Sequence, residues 1–110
     1  MQKFPRQIQS ALGYLQKQVT ENDVIVLFGS RASEASKKNA DFDVGLLTQT
    51  PLAWKTFAVW KTQAEELAWP YRIDLVDLGR APDSFLNVVK QQMVVLQGEW
   101  HDAQGITREN

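Results

Sequence analysis

Apolar residues recur at two different spacings along this chain, and the two spacings predict alternating helices and strands. Residues 24–28 are continuously apolar and rich in β-branched side chains, which is typical of a strand buried on both faces. The preceding segment predicts an amphipathic helix that ends at residues 20–23. Its apolar positions follow a helical period: Phe4, Ile8, Ala11, Leu12, Leu15 and Val19.

The middle of the chain continues the alternation. Ser30 can cap a short helix over residues 31–36, which a polar loop at residues 37–39 follows. Residues 41–47 predict a second strand, and Pro51 can begin a helix that runs to about Ala68. The inward stripe of that helix is predicted to contain Ala53, Phe57, Trp60, Ala64 and Leu67, with Pro70 ending it.

A third strand is predicted over residues 71–78, and Asp83 can cap a further helix through about Lys90. Residues 94–96 can extend that helix or form a closing strand, and we favour the strand. This order predicts an α/β or α+β domain, in which helices flank a small sheet whose strand order stays open. We expect a single domain over residues 1–98 and a polar tail over residues 99–110.

Composition removes several classes of function. With 110 residues and a net charge of −1, the chain fits one domain and has no general electrostatic attraction for nucleic acid. It has no cysteine, so disulfides and cysteine–zinc sites are excluded. The apolar runs are too short to span a bilayer, and the N-terminal segment does not resemble an export signal. We therefore expect a cytoplasmic protein.

Three carboxylates carry the candidate chemistry. Asp41 and Asp43 point to the same face of their predicted strand because side chains alternate along a strand. Asp74 lies in the middle of the third strand, so the three would converge if the two strands are neighbours. Gathered acids repel one another unless a cation lies between them, and hard oxygen ligands suit Mg²⁺ or Mn²⁺.

Gly29 and Ser30 follow a strand and precede a predicted helix, which is a suitable place for a phosphate. Glycine permits a close backbone approach, and a helix N-terminus offers free N–H groups to an anion. Each feature alone has an ordinary explanation: a turn, a solvated strand face or a strand-end acid. Together they match phosphoryl transfer, in which two metals roughly 4 Å apart bridge a triphosphate and activate a hydroxyl.

The motif Gly29-Ser30, ten residues, then Asp41-Phe42-Asp43 resembles that of the DNA polymerase β-like nucleotidyltransferases, more narrowly the minimal nucleotidyltransferases. A later strand acid, here Asp74, completes the likeness, which covers roughly residues 20–98. The resemblance implies a palm-like fold with a mixed sheet. It also implies that Gly29 and Ser30 hold the β- and γ-phosphates, that Asp41 and Asp43 bind both metals, and that Asp74 binds the catalytic metal and helps deprotonate the acceptor.

Several positions outside the matched motif affect what the resemblance implies. Arg31 is a candidate phosphate contact or an exposed helix residue. Glu34 and Ala40 stand where relatives often have Gly and Ser, which puts nucleotide affinity in question. The single histidine, His101, excludes a multi-histidine metal site. Trp54, Trp69 and Trp100 fall off the predicted core stripe, so they either form a protein interface or cover a sheet edge.

The resemblance also implies a partner, because the chain is too short to hold a full acceptor site. Minimal nucleotidyltransferases commonly pair with a helical HEPN-type protein encoded beside them, in a hetero-oligomer, and many act as antitoxins that attach AMP from ATP to that partner. Two alternatives stay open. One is the catalytic subunit of a two-component transferase acting on a small hydroxylated molecule, and the other is a weakly catalytic module that neutralises its partner by contact. A homodimer is a further alternative.

Overall fold

The computed structural model describes residues 4–29 and 41–100. These residues form three helices, four strands and one 3₁₀ turn at Leu78–Arg80. The helices are α1 (Arg6–Gln18), α2 (Trp54–Ala68) and α3 (Asp83–Gln92). The strands are β1 (Val24–Phe28), β2 (Phe42–Leu47), β3 (Ile73–Asp77) and β4 (Val94–Gln97).

The four strands form one mixed sheet in the order β3-β2-β1-β4. β1 pairs antiparallel with both β2 and β4, while β2 and β3 are parallel. The parallel pair requires a crossover connection, and α2 supplies it by carrying the chain back along the sheet. The structure thereby places β3 beside β2, which the sequence pattern left open, and it confirms the small mixed sheet flanked by helices.

Alternation along the central strands divides the core into two clusters, one on each face of the sheet. Phe42, Val44 and Leu46 point toward α1 and α2, and they pack there with Ile8, Leu15 and other apolar residues of those helices. On the opposite face Val26 and Phe28 pack with Leu86 and Val89 of α3. All five residues of β1 are buried, as predicted for a central strand covered on both sides.

Several predicted element boundaries need correction. α2 begins at Trp54 rather than at Pro51, and Ala53 is an exposed residue before the helix rather than part of its inward stripe. Asp83 is the first residue of α3 and not its cap, because Pro82 occupies the N-cap position and no side chain caps the helix. β3 begins at Ile73, two residues later than predicted from Tyr71. The closing strand over residues 94–96 is confirmed as β4.

The tryptophans divide into two groups. Trp54 and Trp69, at the two ends of α2, are 68% and 76% exposed. Trp60 is partly buried against the first cluster, and Trp100 packs against the second cluster, although the sequence pattern assigned it to a polar tail. No helix among residues 4–29 and 41–100 is long and apolar enough to cross a membrane.

Candidate active site

The site begins with Asp43, which β2 presents on the face of the sheet opposite to α1 and α2. Its neighbours Phe42 and Val44 are fully buried on the helical face, so alternation directs Asp43 to the other side, where it is half-buried. Asp43 is the register partner of Phe28, the last residue of β1. The Phe28 ring packs edge-on against Phe85 of α3, with ring centroids 5.9 Å apart. The Asp43 carboxylate therefore lies on the same side of the sheet as these two aromatic rings.

Asp74 lies directly opposite Asp43. The parallel pairing of β2 and β3 makes these two residues register partners, so their side chains leave the same face of the sheet. β3 is an edge strand, and the Asp74 side chain is 55% exposed. The structure thus brings together two of the three carboxylates that the sequence singled out, one half-buried and the other open to solvent.

Gly29 closes the site from the end of β1. Its φ of +76° lies in the left-handed region that favours glycine. A Cβ atom at this position would overlap the Asp43 Oδ2 atom, so the turn passes directly against the carboxylate. The sequence predicted a tight turn at Gly29 that would approach a phosphate; the structure shows that this turn approaches the Asp43 carboxylate.

The electrostatic state of Asp43 reflects its crowded position. Burial raises the pKa of the Asp43 carboxyl above its ordinary value, and the negative charges of Asp74 and Asp41 raise this pKa further. Asp41 is exposed and immediately precedes β2, so its charge reaches Asp43 from the strand end. The three acids therefore form one electrostatic group in which Asp43 bears the repulsion.

A divalent cation fits the chemistry of these donors. Hard carboxylate oxygens suit Mg²⁺ or Mn²⁺, and a cation would offset both the burial of the Asp43 charge and its repulsion by Asp74 and Asp41, the causes that raise the pKa of Asp43. Within the described part of the chain, no three Asp, Glu, His or Cys side chains already form a group that could hold an ion. Asp43 and Asp74 are paired by the sheet, whereas Asp41 contributes charge from outside the strand.

Two predicted phosphate contacts, Ser30 and Arg31, lie outside the described residues, as do Glu34, Ala40 and His101. The predicted short helix at residues 31–36 and the loop at residues 37–39 also lie outside them. Their proposed roles therefore rest on the sequence motif.

Lys61 is a site residue that sequence reasoning missed. Its Nζ atom lies 3.5 Å from Asp74 Oδ1 and 3.1 Å from Glu65 Oε2, so it joins α2 to the edge strand of the sheet. A signal was present in the sequence, because Lys61 falls four residues after Phe57 and three before Ala64 on the inward side of α2. The sequence pattern did not give the position of β3, so it did not indicate which acidic residue would form an ion pair with Lys61.

Asp77 has a structural role at the end of β3. Its carboxylate accepts hydrogen bonds from the Gly79 backbone N–H at 3.1 Å and from Arg80 Nε at 3.1 Å. Arg80 also donates to the Leu52 carbonyl at 2.6 Å, which ties the 3₁₀ turn to the segment before α2. Asp77 is therefore engaged away from the Asp43–Asp74 pair, because alternation along β3 places it on the opposite face of the strand from Asp74.

The chain is similar to known proteins over most of its length. The family model for Polymerase beta, Nucleotidyltransferase matches residues 9–99. A Haemophilus influenzae protein named Probable protein adenylyltransferase MntA is 27% identical over 81 residues, which are 74% of this chain and 71% of that protein.

Two solved structures share the fold. One, a toxin–antitoxin with AMP-PNP, matches with a TM-score of 0.70 at 24% identity, over 88% of this chain and 77% of the matched chain. The other contains a tri-AMPylated Shewanella oneidensis HEPN toxin in complex with an MNT antitoxin. It gives a TM-score of 0.66 at 22% identity, over 89% of this chain and 75% of the matched chain.

Proposed function

Because the chain belongs to the Polymerase beta nucleotidyltransferase family, we propose that it transfers AMP from ATP to a HEPN-type helical protein and thereby acts as the antitoxin of a toxin–antitoxin pair. The observation that carries this proposal is the register pairing of Asp43 with Asp74 beside the Gly29 turn. It supplies two carboxylates on one face of the sheet, with a backbone turn in contact with one of them. We expect this activity in the cytoplasm, where ATP is available.

Each site residue has a role in the proposed reaction. Asp41, Asp43 and Asp74 would hold Mg²⁺ or Mn²⁺, which when bound supplies positive charge to the triphosphate and the attacking oxygen. Gly29 would contribute to the binding of the β- and γ-phosphates through its backbone, because the turn runs against the Asp43 carboxylate and has no space for a side chain. Ser30 and Arg31 are proposed as further phosphate contacts from the motif alone.

The transfer itself is a substitution at the α-phosphorus of ATP. The oxygen of an acceptor hydroxyl forms the new P–O bond while the bond between the α-phosphorus and the bridging oxygen breaks, so that pyrophosphate leaves with the electron pair. The hydroxyl proton passes to the Asp74 carboxylate, which is 55% exposed and therefore open to an acceptor on the edge of the sheet.

The nature of the acceptor is supported by the relatives. The similar Haemophilus influenzae protein is named a protein adenylyltransferase, and one structural neighbour is an MNT antitoxin in complex with an AMPylated HEPN toxin. A protein partner also suits a small domain whose described residues contain two tryptophans that are more than two-thirds exposed, at 68% and 76%.

Incubation with ATP, Mg²⁺ and the product of the neighbouring gene, the proposed HEPN-type partner, tests the proposal, with the masses of both proteins as the readout. The partner is expected to gain one or more adenylyl groups, and its toxicity is expected to fall with that gain. Asp43→Asn/Asp74→Asn is the inactive control. An unmodified partner with an adenylylated small molecule would support the two-component transferase instead, and inhibition without modification would support the contact-only module.

Metal-dependent nucleotide binding provides a second test that needs no acceptor. Calorimetry is expected to show ATP binding that requires Mg²⁺ and is lost in Asp41→Ala/Asp43→Ala, since these carboxylates are the proposed metal ligands. Glu66→Gln, which removes an exposed charge on α2, is the matched control. Equal ATP affinity with and without Mg²⁺ would contradict the proposed metal site.

A further inference from the structure

The strand that carries Asp74 does not fix the orientation of the Asp74 side chain. It lies on an edge strand with a side chain that is 55% exposed, directly opposite the like-charged Asp43. Like charges at paired strand positions repel, and an exposed carboxylate is free to change rotamer. A carboxylate that must act together with Asp43 therefore requires a restraint from elsewhere in the fold.

Lys61 supplies such a restraint from α2. Its ammonium lies 3.5 Å from Asp74 Oδ1, and Glu65 holds the same ammonium from the next turn of the helix at 3.1 Å. The helix that carries Lys61 is itself fixed against the sheet, because Phe57 and Ala64 on either side of Lys61 are buried in the first cluster. The core thus fixes the backbone position of Lys61, and Glu65 holds its ammonium.

We propose that Lys61 is a positioning residue for Asp74. It restricts the Asp74 side chain to one rotamer and places one positive charge beside the Asp74 carboxylate. This inference rests on the proposed transferase function, in which Asp74 acts on the acceptor hydroxyl. Ion pairs between partly exposed side chains add little to folding stability. The consequence of this pair is therefore the orientation of a reacting carboxylate rather than the stability of the domain.

The side-chain rotamer of Asp74 in metal-free protein tests the restraint without any reaction. Three-bond couplings measured on isotopically labelled protein are expected to show a single Asp74 rotamer in the wild type and averaged values in Lys61→Met. Lys61→Arg is expected to restore the single rotamer, and Lys55→Met, which removes an exposed lysine of the same helix, is expected to leave it unchanged. A single rotamer retained in Lys61→Met overturns the proposal, provided that its denaturation midpoint matches the wild type.

Steady-state kinetics with the full chain and its partner test the consequence. Lys61→Met is expected to lower kcat about 10- to 100-fold, the effect of removing a group that orients a metal-ligating residue. The KM for ATP is expected to stay unchanged, with partial recovery of kcat in Lys61→Arg. An unchanged kcat, or parallel losses of kcat and ATP affinity, overturns the positioning role. If the wild type transfers no AMP, the proposed function fails, while the couplings still decide the role of Lys61.

Discussion

Asp43 on β2 and Asp74 on β3 are register partners in a parallel strand pair, with both side chains on the same face of the sheet. Burial raises the pKa of the Asp43 carboxyl, and the negative charge of Asp74 at the paired position raises this pKa further. Folding thus builds a destabilising feature into the protein, which is typical of functional sites.

Replacing Asp43 with Asn is expected to stabilise the metal-free protein while it abolishes transfer. The change removes the buried charge and its repulsion by Asp74, which is worth up to about 1 kcal/mol for charges at paired strand positions. Transfer is expected to fall at least about 100-fold, the scale of losing one electrostatic group that acts on the transition state. Urea denaturation and AMP transfer measure the two effects. Glu66→Gln should change neither, and a destabilised Asp43→Asn would contradict the account of charge crowding.

The stability of metal-free protein is expected to depend on pH through Asp43. The pKa of this carboxyl is raised in the folded state, so the folded state holds more protons than the unfolded state between the ordinary and the raised pKa. The contribution of Asp43 to the free energy of unfolding is therefore greatest below the ordinary pKa of aspartate, and it falls as the pH rises through the raised value. The free energy of unfolding is measured for the wild type and for Asp43→Asn across this pH range, and the wild-type value is subtracted from that of the variant. The difference should grow with pH, and a constant difference would be evidence against the raised pKa.

Gly29→Ala is expected to lower both stability and activity. The methyl group would meet Asp43 Oδ2 and would require a left-handed backbone with φ of +76°, so a loss of about 1–3 kcal/mol is expected. Gly13→Ala is the matched control, because a Cβ there has no atom within 4 Å and α1 should gain about 0.5–1 kcal/mol. Thermal denaturation and ATP calorimetry check both variants. Normal ATP binding in Gly29→Ala would argue against a phosphate-holding turn.

Asp23→Ala is expected to destabilise the fold without changing the site. Asp23 is 6% exposed, and its carboxylate accepts hydrogen bonds from the backbone N–H groups of Thr20 at 2.8 Å and Gln49 at 2.9 Å. Leaving these donors unpaired should cost about 1–3 kcal/mol. Asp23 precedes β1 at the end away from Gly29, so the transfer rate of folded protein should match the wild type. Glu21→Ala, which removes an exposed acid nearby, should be neutral in both measurements.

Most of the secondary structure could be predicted because it follows from local patterns. The apolar run of β1, the helical spacing of α1 and the strand acids of β2 each act over a few residues, where backbone geometry decides which side chains share a face. Boundaries were less accurate. Pro51 and Asp83 favour helix starts, but α2 begins after Ala53 and Pro82 occupies the cap of α3. Propensity permits several starting residues, and packing against the sheet selects one.

The sequence by itself determined the type of domain, the family to which it belongs and the three acids that carry the candidate chemistry, because each is encoded by residue type at short spacing. Only the tertiary structure decided that β3 lies beside β2, that Asp74 therefore faces Asp43, and that Lys61 reaches Asp74 from α2. These relationships join residues far apart in the chain. They depend on which strand pairings bury the most apolar surface around the crossover helix, and no local pattern records that choice.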